Sequence, residues 1–440
     1  PEVLVERYIT NPRHIEVQLI GDCVGKVAIY GERECSVQRR FQKIIEEAPA
    51  PNLSDRQRES LASAALALAK QVSYYSTGTV EFLLDAETGD FYFLEMNTRL
   101  QVEHTVTEEV FGVDLVAMQL DVALGKELTT MFPRQCGHSV QVRLYAEDAA
   151  RDFMPTPGRV LAFKPLHGLG LRWEIGVDAG EQLSANFDPM IAKLIGSAPT
   201  RELALARLEL ALRQSFIAGI TTNIQFLRQV LTDEKFKRGE ITTNYVAENK
   251  ERLLAAIDSE ASAKQTAYLE FLRQHYFGSQ ARIAKLFQPQ SQHGGAADTV
   301  PDIHIDDEQQ YGKDTVYGNG RCAGKHMQFV IHRNRGQDTL IINIDGNYQR
   351  LDEHEWRWQE SASEQGRAAN DGSLRAPLPG KVTTVQVAAG DKVQAGETCV
   401  TLLSMKMEFA VKAETAGKVA RVLAQVGDTV GDGQELIVFV

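Results

Sequence analysis

Between Gly78 and His104 the chain reads GTVEFLLDAETGDFYFLEMNTRLQVEH. Two strand-like runs flank DAETGD, where Gly and Asp stand in turn positions. In the second run the period is two. Glu95, Asn97, Arg99, Gln101 and Glu103 share one face, and Tyr92, Leu94, Met96, Leu100 and Val102 share the other. A hairpin centred on Thr88 sets Glu81 opposite Glu95. Like charges directly opposite one another are unfavourable. Two facing carboxylates beside Asn97 therefore predict a divalent cation with oxygen ligands, magnesium or manganese. A solvated polar strand face is the plain alternative, and the run E-x-N-x-R-x-Q-x-E below two aromatic residues argues against it.

The period then changes. TRELALARLELALRQSF (200–216) has helical apolar spacing, TTNIQFLRQVL (221–231) follows it, and a further amphipathic helix is predicted within SAKQTAYLEFLRQHYFGSQARIAKLF (262–287). SQHGGAADTVPD (291–302) is a loop. From Thr315 to Trp358, runs such as HMQFVIH and DTLIINIDGNYQRL predict strands, with turns at RNRGQ and DGN. Trp356 and Trp358 are expected at a core-facing strand end. QESASEQGRAANDGS (359–373) is a polar linker without apolar periodicity.

From Leu374 onward, short β-type runs are broken by glycine, and they repeat. Gly380 and Gly417, Gly390 and Gly427, and Gly396 and Gly433 all stand 37 residues apart. The repeat implies two related β units packed as a flattened barrel or sandwich with pseudo-twofold symmetry. Lys406, between Met405 and Met407 in LLSMKMEFAV, falls where one unit turns into the other. A lone lysine there would be an ordinary exposed hairpin residue. The duplicated frame and the paired thioethers single it out.

Length and charge narrow the classes. A chain of 440 residues is expected to form about two to four domains. Its net charge of −12 argues against a nucleic-acid footprint. No apolar run approaches the ~18–20 residues needed to span a bilayer. The five scattered cysteines, with no CxxC, fit a reducing compartment and no structural zinc. The opening PEVLVERYIT reads as a strand already under way, so the natural start is expected upstream.

MKME within its internal repeat resembles the biotinyl domain of biotin-dependent carboxylases, in which Lys406 would be the lysine amidated by biotin. The family usually has Ala where Ser404 stands and often His where Phe409 stands. The lipoyl domain shares the fold, but its lysine is typically flanked by Asp and Ala, so the methionines favour biotin. Independently, EMNTRLQVEH resembles the ATP-grasp core of biotin carboxylase, together with ERYITNPRHIEVQ (6–18), ERECSVQRRFQKIIEEAPAP (32–51) and RLYAEDAARDFMPTPGRV (143–160). The likeness covers roughly the first 250 residues.

The resemblance implies residue roles. Glu81, Glu95 and Asn97 would hold the metal that bridges the ATP phosphates. Glu6, Arg7 and Ile9 would meet the adenine, with His14 and Gln38 near the ribose and phosphates. Lys43, Arg99 and the backbone of Val102 would form the bicarbonate site. Glu103 would deprotonate bicarbonate, and Arg143 would stabilise the biotin enolate. Bicarbonate is a poor nucleophile until a base takes its proton. Negative charge accumulating at the γ-phosphate needs cations. An enolate needs a guanidinium that does not deprotonate.

The implied fold is multidomain α+β. It comprises an ATP-grasp remainder with a biotin carboxylase C-domain (1–250), a helix plus antiparallel β barrel-like docking domain (251–358), the linker (359–373) and an all-β flattened-barrel biotinyl domain (374–440). The implied activity is ATP- and bicarbonate-dependent carboxylation of protein-bound biotin. A carboxyltransferase β-subunit that binds the acyl-CoA would receive the carboxyl group within a hetero-oligomer, and a biotin protein ligase would load Lys406. The gap between the two signatures is too short for the barrel of pyruvate carboxylase, which leaves acyl-CoA carboxylase α-subunits. Among acyl groups 3-methylcrotonyl-CoA is favoured over propionyl-, geranyl- and acetyl-CoA. The expected compartment is the cytoplasm for a bacterial chain, which is favoured, or the mitochondrial matrix for a eukaryotic one. No nucleic acid or membrane is expected as partner. Two other classes stay open: a non-catalytic lipoyl-type swinging-arm carrier and an unrelated ATP-grasp ligase. The resemblance also implies an N-terminal α/β domain and a glycine-rich lid ahead of Glu6. The 440-residue chain alone is therefore expected not to carboxylate biotin, while its C-terminal domain accepts it.

Lys406→Arg is expected to keep the fold and to abolish biotin attachment, because a guanidinium is not an amine nucleophile. Intact mass and streptavidin binding check this; a variant that still binds streptavidin refutes the assignment.

Overall fold

Strand alternation in the first 200 residues builds one large eight-stranded sheet. The computed structural model describes residues 3, 5–129, 134–184, 187–260, 303–311, 314–322, 324–334, 337–352, 373–404, 407–413, 415–431 and 433–439. The helix expected within 262–287, the loop 291–302, Arg335 and Gly336 of the RNRGQ turn, Trp356, Trp358, the linker up to 372, and Met405 and Lys406 lie outside the described residues.

The sheet contains β1 (Pro12–Gly21), β2 (Val27–Arg39), β3 (Gln42–Ala48), β4 (Ser76–Asp85), β5 (Phe91–Asn97), β6 (His138–Tyr145), β7 (Leu171–Ile175) and β8 (Met190–Ala198). Their order is β7-β8-β6-β3-β2-β1-β4-β5, with every neighbouring pair antiparallel. Side chains alternate between its faces. On the back face Ile15, Val17, Leu19, Val80, Phe82 and Leu84 pack against α1 (Asp55–Gln71), which buries Leu61, Ala65 and Ala69 at successive turns. Ser54 and Gln57 close a reciprocal capping box that satisfies donors at the start of α1. Farther along, Ile45, Val140, Val142, Leu144 and Leu194 pack against α4 (Arg201–Gln214), α5 (Ile224–Thr232) and α6 (Tyr245–Glu260). The front face is polar. α2 (His104–Phe111) covers part of it through Val106 and Val110, against Ala48 and Ile195, and α3 (Leu115–Ala123) follows.

The α+β organisation read from the sequence holds, with α4 and α5 where the helical spacing sets them. Three details differ. β5 stops at Asn97, so the period-two reading does not extend through Arg99, Gln101 and Glu103; these ride on an irregular turn. α6 runs through residue 250, where the first domain is expected to end. A strand, β9 (Ile303–Tyr311), precedes those expected from Thr315. It opens a five-stranded meander completed by β10 (Thr315–Cys322), β11 (Lys325–Asn334), β12 (Gln337–Ile344) and β13 (Asn347–Asp352).

This meander packs on the C-terminal end of α4. Helix ends leave unpaired carbonyls. Here Tyr348 Oη donates to Ser215 O, Asn343 Nδ2 donates to Arg213 O at 3.4 Å, and Arg213 Nη1 lies 2.9 Å from Asp345 Oδ1. The Phe216 and Tyr348 rings stack with centroids 5.8 Å apart.

The C-terminal repeat forms two four-stranded sheets from β14 (Ser373–Arg375), β15 (Gly380–Val385), β16 (Lys392–Val393), β17 (Thr398–Ser404), β18 (Met407–Lys412), β19 (Gly417–Val422), β20 (Thr429–Val430) and β21 (Glu435–Phe439). The pseudo-twofold extends to single hydrogen bonds. Gly390 N donates to Val419 O and Gly427 N to Val382 O, both at 2.8 Å. Gly396 N donates to Ala413 O, and Gly433 N to Ala376 O. Gly390 and Gly427 have φ of 99° and 98°, a conformation that glycine adopts without a Cβ penalty. Ser404 pairs with Met407 across the β17–β18 hairpin that carries Lys406.

Where α4 crosses β8, Gly196 allows contact closer than any side chain would. A Cβ there would meet Leu208 Cγ at 2.6 Å and Ala204 O at 3.0 Å. Gly196→Val is expected to destabilise the large-sheet domain by about 1–3 kcal/mol through overpacking. Urea unfolding followed by tryptophan fluorescence measures it.

Candidate active site

The polar front face is ordered by strand register. Arg33, Glu16, Glu81 and Glu95 form one row across β2, β1, β4 and β5. Glu81 pairs with Glu95 and Thr79 with Asn97, as a hairpin about Thr88 requires. A bulge after Glu81 shifts the outer pairs, so Phe82 meets Phe93.

Arg33 anchors this row. It is fully buried, and its guanidinium has five N–H donors. Nε donates to Glu16 Oε1 at 2.5 Å, Nη1 to Gln18 Oε1 and Thr107 Oγ1, and Nη2 to Thr79 Oγ1 and Gln101 Oε1. Each donor thus has an acceptor. Lys43 stands at the centre of the carboxylates. Its Nζ is 2.6 Å from Glu16 Oε2, 3.0 Å from Glu81 Oε1 and 2.6 Å from Glu103 Oε1. The other oxygen of Glu103 lies 3.1 Å from Arg143 Nη2, and Arg143 Nε donates to Glu46 Oε1 at 2.5 Å.

These contacts set the protonation states. Burial raises the Glu81 carboxyl pKa, but the hydrogen bond from His14 and the Lys43 ammonium outweigh it and lower it to about 2. Glu16 is also brought to about 2, against burial, by Arg33 and Lys43. Burial and Glu16 push Glu103 up, and Lys43, Arg143 and Arg33 together pull it below the ordinary value. Burial works against the Lys43 ammonium, and Glu16 with its neighbouring carboxylates raises its pKa nonetheless. Glu103 is therefore an anion at neutral pH, able to accept a proton, held between two permanent cations.

His14 Nδ1 lies 2.8 Å from Gln38 Nε2, and His14 Nε2 lies 2.9 Å from Glu81 Oε2. The structure thus brings His14, Gln38, Lys43, Glu81, Glu95, Asn97, Glu103 and Arg143 to one face. Val102 follows on the same turn. Arg99 is exposed, with its Nη1 3.3 Å from Leu100 O. Glu6 is exposed, Ile9 is buried, and Arg7 lies over the Tyr92 ring at 5.3 Å, at the sheet edge. Lys406 lies outside the described residues.

Glu81, Glu95 and Asn97 stand together, and a divalent cation held there would share Glu81 with Lys43 and His14, which already meet its two oxygens. Asn97 Nδ2 donates to both carboxylates, at 3.1 and 2.9 Å, so one amide bridges two hard oxygen ligands. Two further clusters, His14–Glu16–Glu81 and Glu16–Cys35–Glu103, bring ligand atoms within 4.8 Å of one another. Both use Glu16, whose two oxygens already face Arg33 and Lys43, so fixed cations occupy the place a metal would take.

Sequence reasoning assigned no role to Arg33, Glu16, Gln18 or Glu46. The alternation of His14, Glu16 and Gln18 in RHIEVQ carries the same period-two signal as the Glu95 run and could have found two of them.

Residues 1–131 match the family described as carbamoyl-phosphate synthase L chain, ATP binding domain. Residues 141–248 match the biotin carboxylase C-terminal domain, and residues 372–439 match the family described as biotin-requiring enzyme. The chain is similar to the mitochondrial methylcrotonoyl-CoA carboxylase subunit alpha of Oryza sativa subsp. japonica, with 34% identity over 508 residues, covering 99% of this chain and 67% of the relative. The corresponding subunit of Dictyostelium discoideum is 36% identical over 487 residues, covering 100% and 68%. The mitochondrial propionyl-CoA carboxylase alpha chain of Mus musculus is 34% identical over 485 residues, covering 99% and 65%. Among solved structures, the biotin carboxylase domain dimer of Hydrogenobacter thermophilus 2-oxoglutarate carboxylase, in complex with MgADP, ADP and bicarbonate, aligns with a TM-score of 0.55 at 42% identity. That alignment covers 56% of this chain and 55% of the other. The chain thus spans about two thirds of the length of the curated relatives it matches.

The depressed Glu81 carboxyl has a consequence for stability. Its folded-state pKa of about 2 lies below the ordinary value of 4.5, so its contribution is fully present above that value and is lost as pH falls towards 2. The difference in urea midpoint between wild type and Glu81→Gln is expected to shrink as pH falls from about 5 to about 3. A difference that stays constant over this range overturns the assignment.

Proposed function

Because the chain belongs to the α-subunits of biotin-dependent acyl-CoA carboxylases, we propose that it carboxylates protein-bound biotin with ATP and bicarbonate. It then hands the carboxyl group to a carboxyltransferase subunit. The observation that carries this reading is Glu103, an ionised carboxylate buried between Lys43 at 2.6 Å and Arg143 at 3.1 Å.

A base that must act on an anion needs nearby cations to bring the two together. Lys43 and Arg143 supply them here, and Arg99 at the rim adds a third. Glu103 accepts the proton of bicarbonate. Lys43 and Arg99 then hold the resulting dianion for attack on the γ-phosphate, with His14 and Gln38 on the nucleotide side. Glu81, Glu95 and Asn97 would hold the magnesium or manganese ion, which supplies charge neutralisation at the phosphates. Arg143 would orient the ureido oxygen of biotin and offset charge that develops there, and its guanidinium stays protonated throughout. Lys406, on the hairpin between β17 and β18, would carry biotin as an amide. Biotin, when bound, supplies the nitrogen that accepts the carboxyl group. A non-catalytic carrier has no use for a buried set of this kind, which disfavours the swinging-arm alternative.

Within the family, 3-methylcrotonyl-CoA is the acyl substrate we favour, because the methylcrotonoyl-CoA carboxylase subunits are matched over the whole chain. Propionyl-CoA is the second reading, supported by a relative of equal identity. The partner would be a carboxyltransferase β-subunit that binds the acyl-CoA. Co-purification of that subunit and a comparison of the two acyl-CoAs decide between the substrates.

In the assembled enzyme, Glu103→Gln is expected to lower bicarbonate-dependent ATP cleavage by on the order of 10²-fold or more while nucleotide binding stays largely intact. Turnover near wild type would show that Glu103 is not the base. Glu95→Gln should instead weaken binding of the metal–nucleotide complex, read by calorimetric titration with MgADP.

A further inference from the structure

The turn that bears Arg99, Val102 and Glu103 leaves the sheet after Asn97, so ladder hydrogen bonds do not hold it. Besides the turn bond from His104 N to Gln101 O, its support comes from side chains, most of them on the site's own side. Arg33 donates to Gln101 Oε1 at 3.0 Å, and Gln101 Nε2 donates to Glu81 at 2.6 Å. One support comes from elsewhere. Lys193, on β8, donates from Nζ to the carbonyl oxygen of Val102 at 2.8 Å.

Lys193 is held for this task. It pairs in register with Arg143 on β6 and with Glu174 on β7, and cross-strand partners project from the same face. Glu174 Oε2 lies 2.6 Å from Lys193 Nζ. Glu174 Oε1 is held by Arg172 at 2.5 Å, and Arg172 in turn meets Glu108 on α2 at 2.8 Å. Lys193 itself is only 8% exposed, so its ammonium has few alternatives to these two acceptors.

Adjacent strands thus direct two cations at adjacent residues of the turn. Arg143 takes the carboxylate of Glu103, and Lys193 takes the carbonyl of Val102, which belongs to the peptide that joins the two residues. We propose that Lys193 is a positioning residue for the bicarbonate step. By fixing the plane of the Val102–Glu103 peptide it sets where the Glu103 carboxylate points, and Glu174 keeps Lys193 in place. A carboxylate that must meet its substrate within hydrogen-bond reach loses rate steeply when it is displaced. The inference rests on the carboxylase reading for its kinetic arm only.

The test compares wild type, Lys193→Met, Lys193→Arg and Glu174→Gln in the assembled enzyme, by hydrogen exchange and by kinetics. In Lys193→Met, amide exchange across residues 98–106 is expected to rise about tenfold, while β8 and α4 keep their protection. The KM for bicarbonate rises on the order of tenfold, with the KM for ATP within about twofold of wild type. Lys193→Arg restores part of both effects, and Glu174→Gln produces a weaker form of both. The proposal is overturned if the turn stays as protected in Lys193→Met as in wild type. It is equally overturned if both KM values rise together or if β8 and α4 lose protection too, as a general loss of structure would give. If wild type cleaves no ATP in response to bicarbonate, the carboxylase reading fails, and the exchange result alone decides the role of Lys193.

Discussion

Everything on the front face depends on one desolvated guanidinium. Arg33 spends all five N–H donors on side chains from β1, β4, the turn after β5 and α2. It is a joint as much as a charge. A buried cation without acceptors costs several kcal/mol, so this arrangement tolerates little drift in any of those elements. Glu16, fixed by Arg33, in turn fixes Lys43, and Lys43 reaches Glu81 and Glu103. Four carboxylates (Glu16, Glu46, Glu81 and Glu103) face three buried cations (Arg33, Lys43 and Arg143) in this set. Burial and Glu103 push the Glu46 carboxyl up, so the set is close to electrically balanced, and a divalent cation would add the positive charge that phosphates require. Exposed Glu95 offers that cation an approach beside buried Glu81, whose own oxygens already meet Lys43, Gln101 and His14.

Much of this was legible in the sequence because period two is a strong signal where one face is polar and the other packs on a helix. The Glu81–Glu95 register came from turn chemistry at DAETGD, and the outer strands slip by one residue only after the functional pair. The reading overran at Arg99, Gln101 and Glu103, since alternation continues in the letters although the backbone has left the sheet. Gln101 and Glu103 still face the site, drawn there by Arg33, Lys43 and Arg143, while Arg99 has no such partner among the described residues and stays in solvent. Lys193 was illegible for a different reason. Its role depends on strands 50 residues apart in sequence, β6 and β8, lying side by side, and no local pattern announces a lysine aimed at a main-chain carbonyl.

The C-terminal repeat was legible at a finer grain. A 37-residue offset among glycines foretold paired turns, and the structure repeats even the donor and acceptor of each turn. Residues 303–352 were legible only in part. β11 and β12 carry the unbroken apolar runs Phe329–Ile331 and Leu340–Ile342, whereas β9 carries the polar run Asp306–Gln310 and lacks an apolar face to betray it. The packing of the meander on α4 depends on Tyr348 and Asn343 reaching helix-end carbonyls, which is a tertiary fact.

The ladder between β3 and β6 joins the strands that bear Glu16, Lys43 and Glu81 to the strands that bear Arg143 and Lys193, with Ile45 to Ala48 paired against Val142 to Ser139. The front face is therefore one continuous eight-stranded plank, with bulges between β2 and β3 as local irregularities. A hinge opening between those two halves would have to strip this ladder, and the helices behind it share the load. Reactants must then enter and leave perpendicular to the plank, and any gating belongs to parts that ride above it.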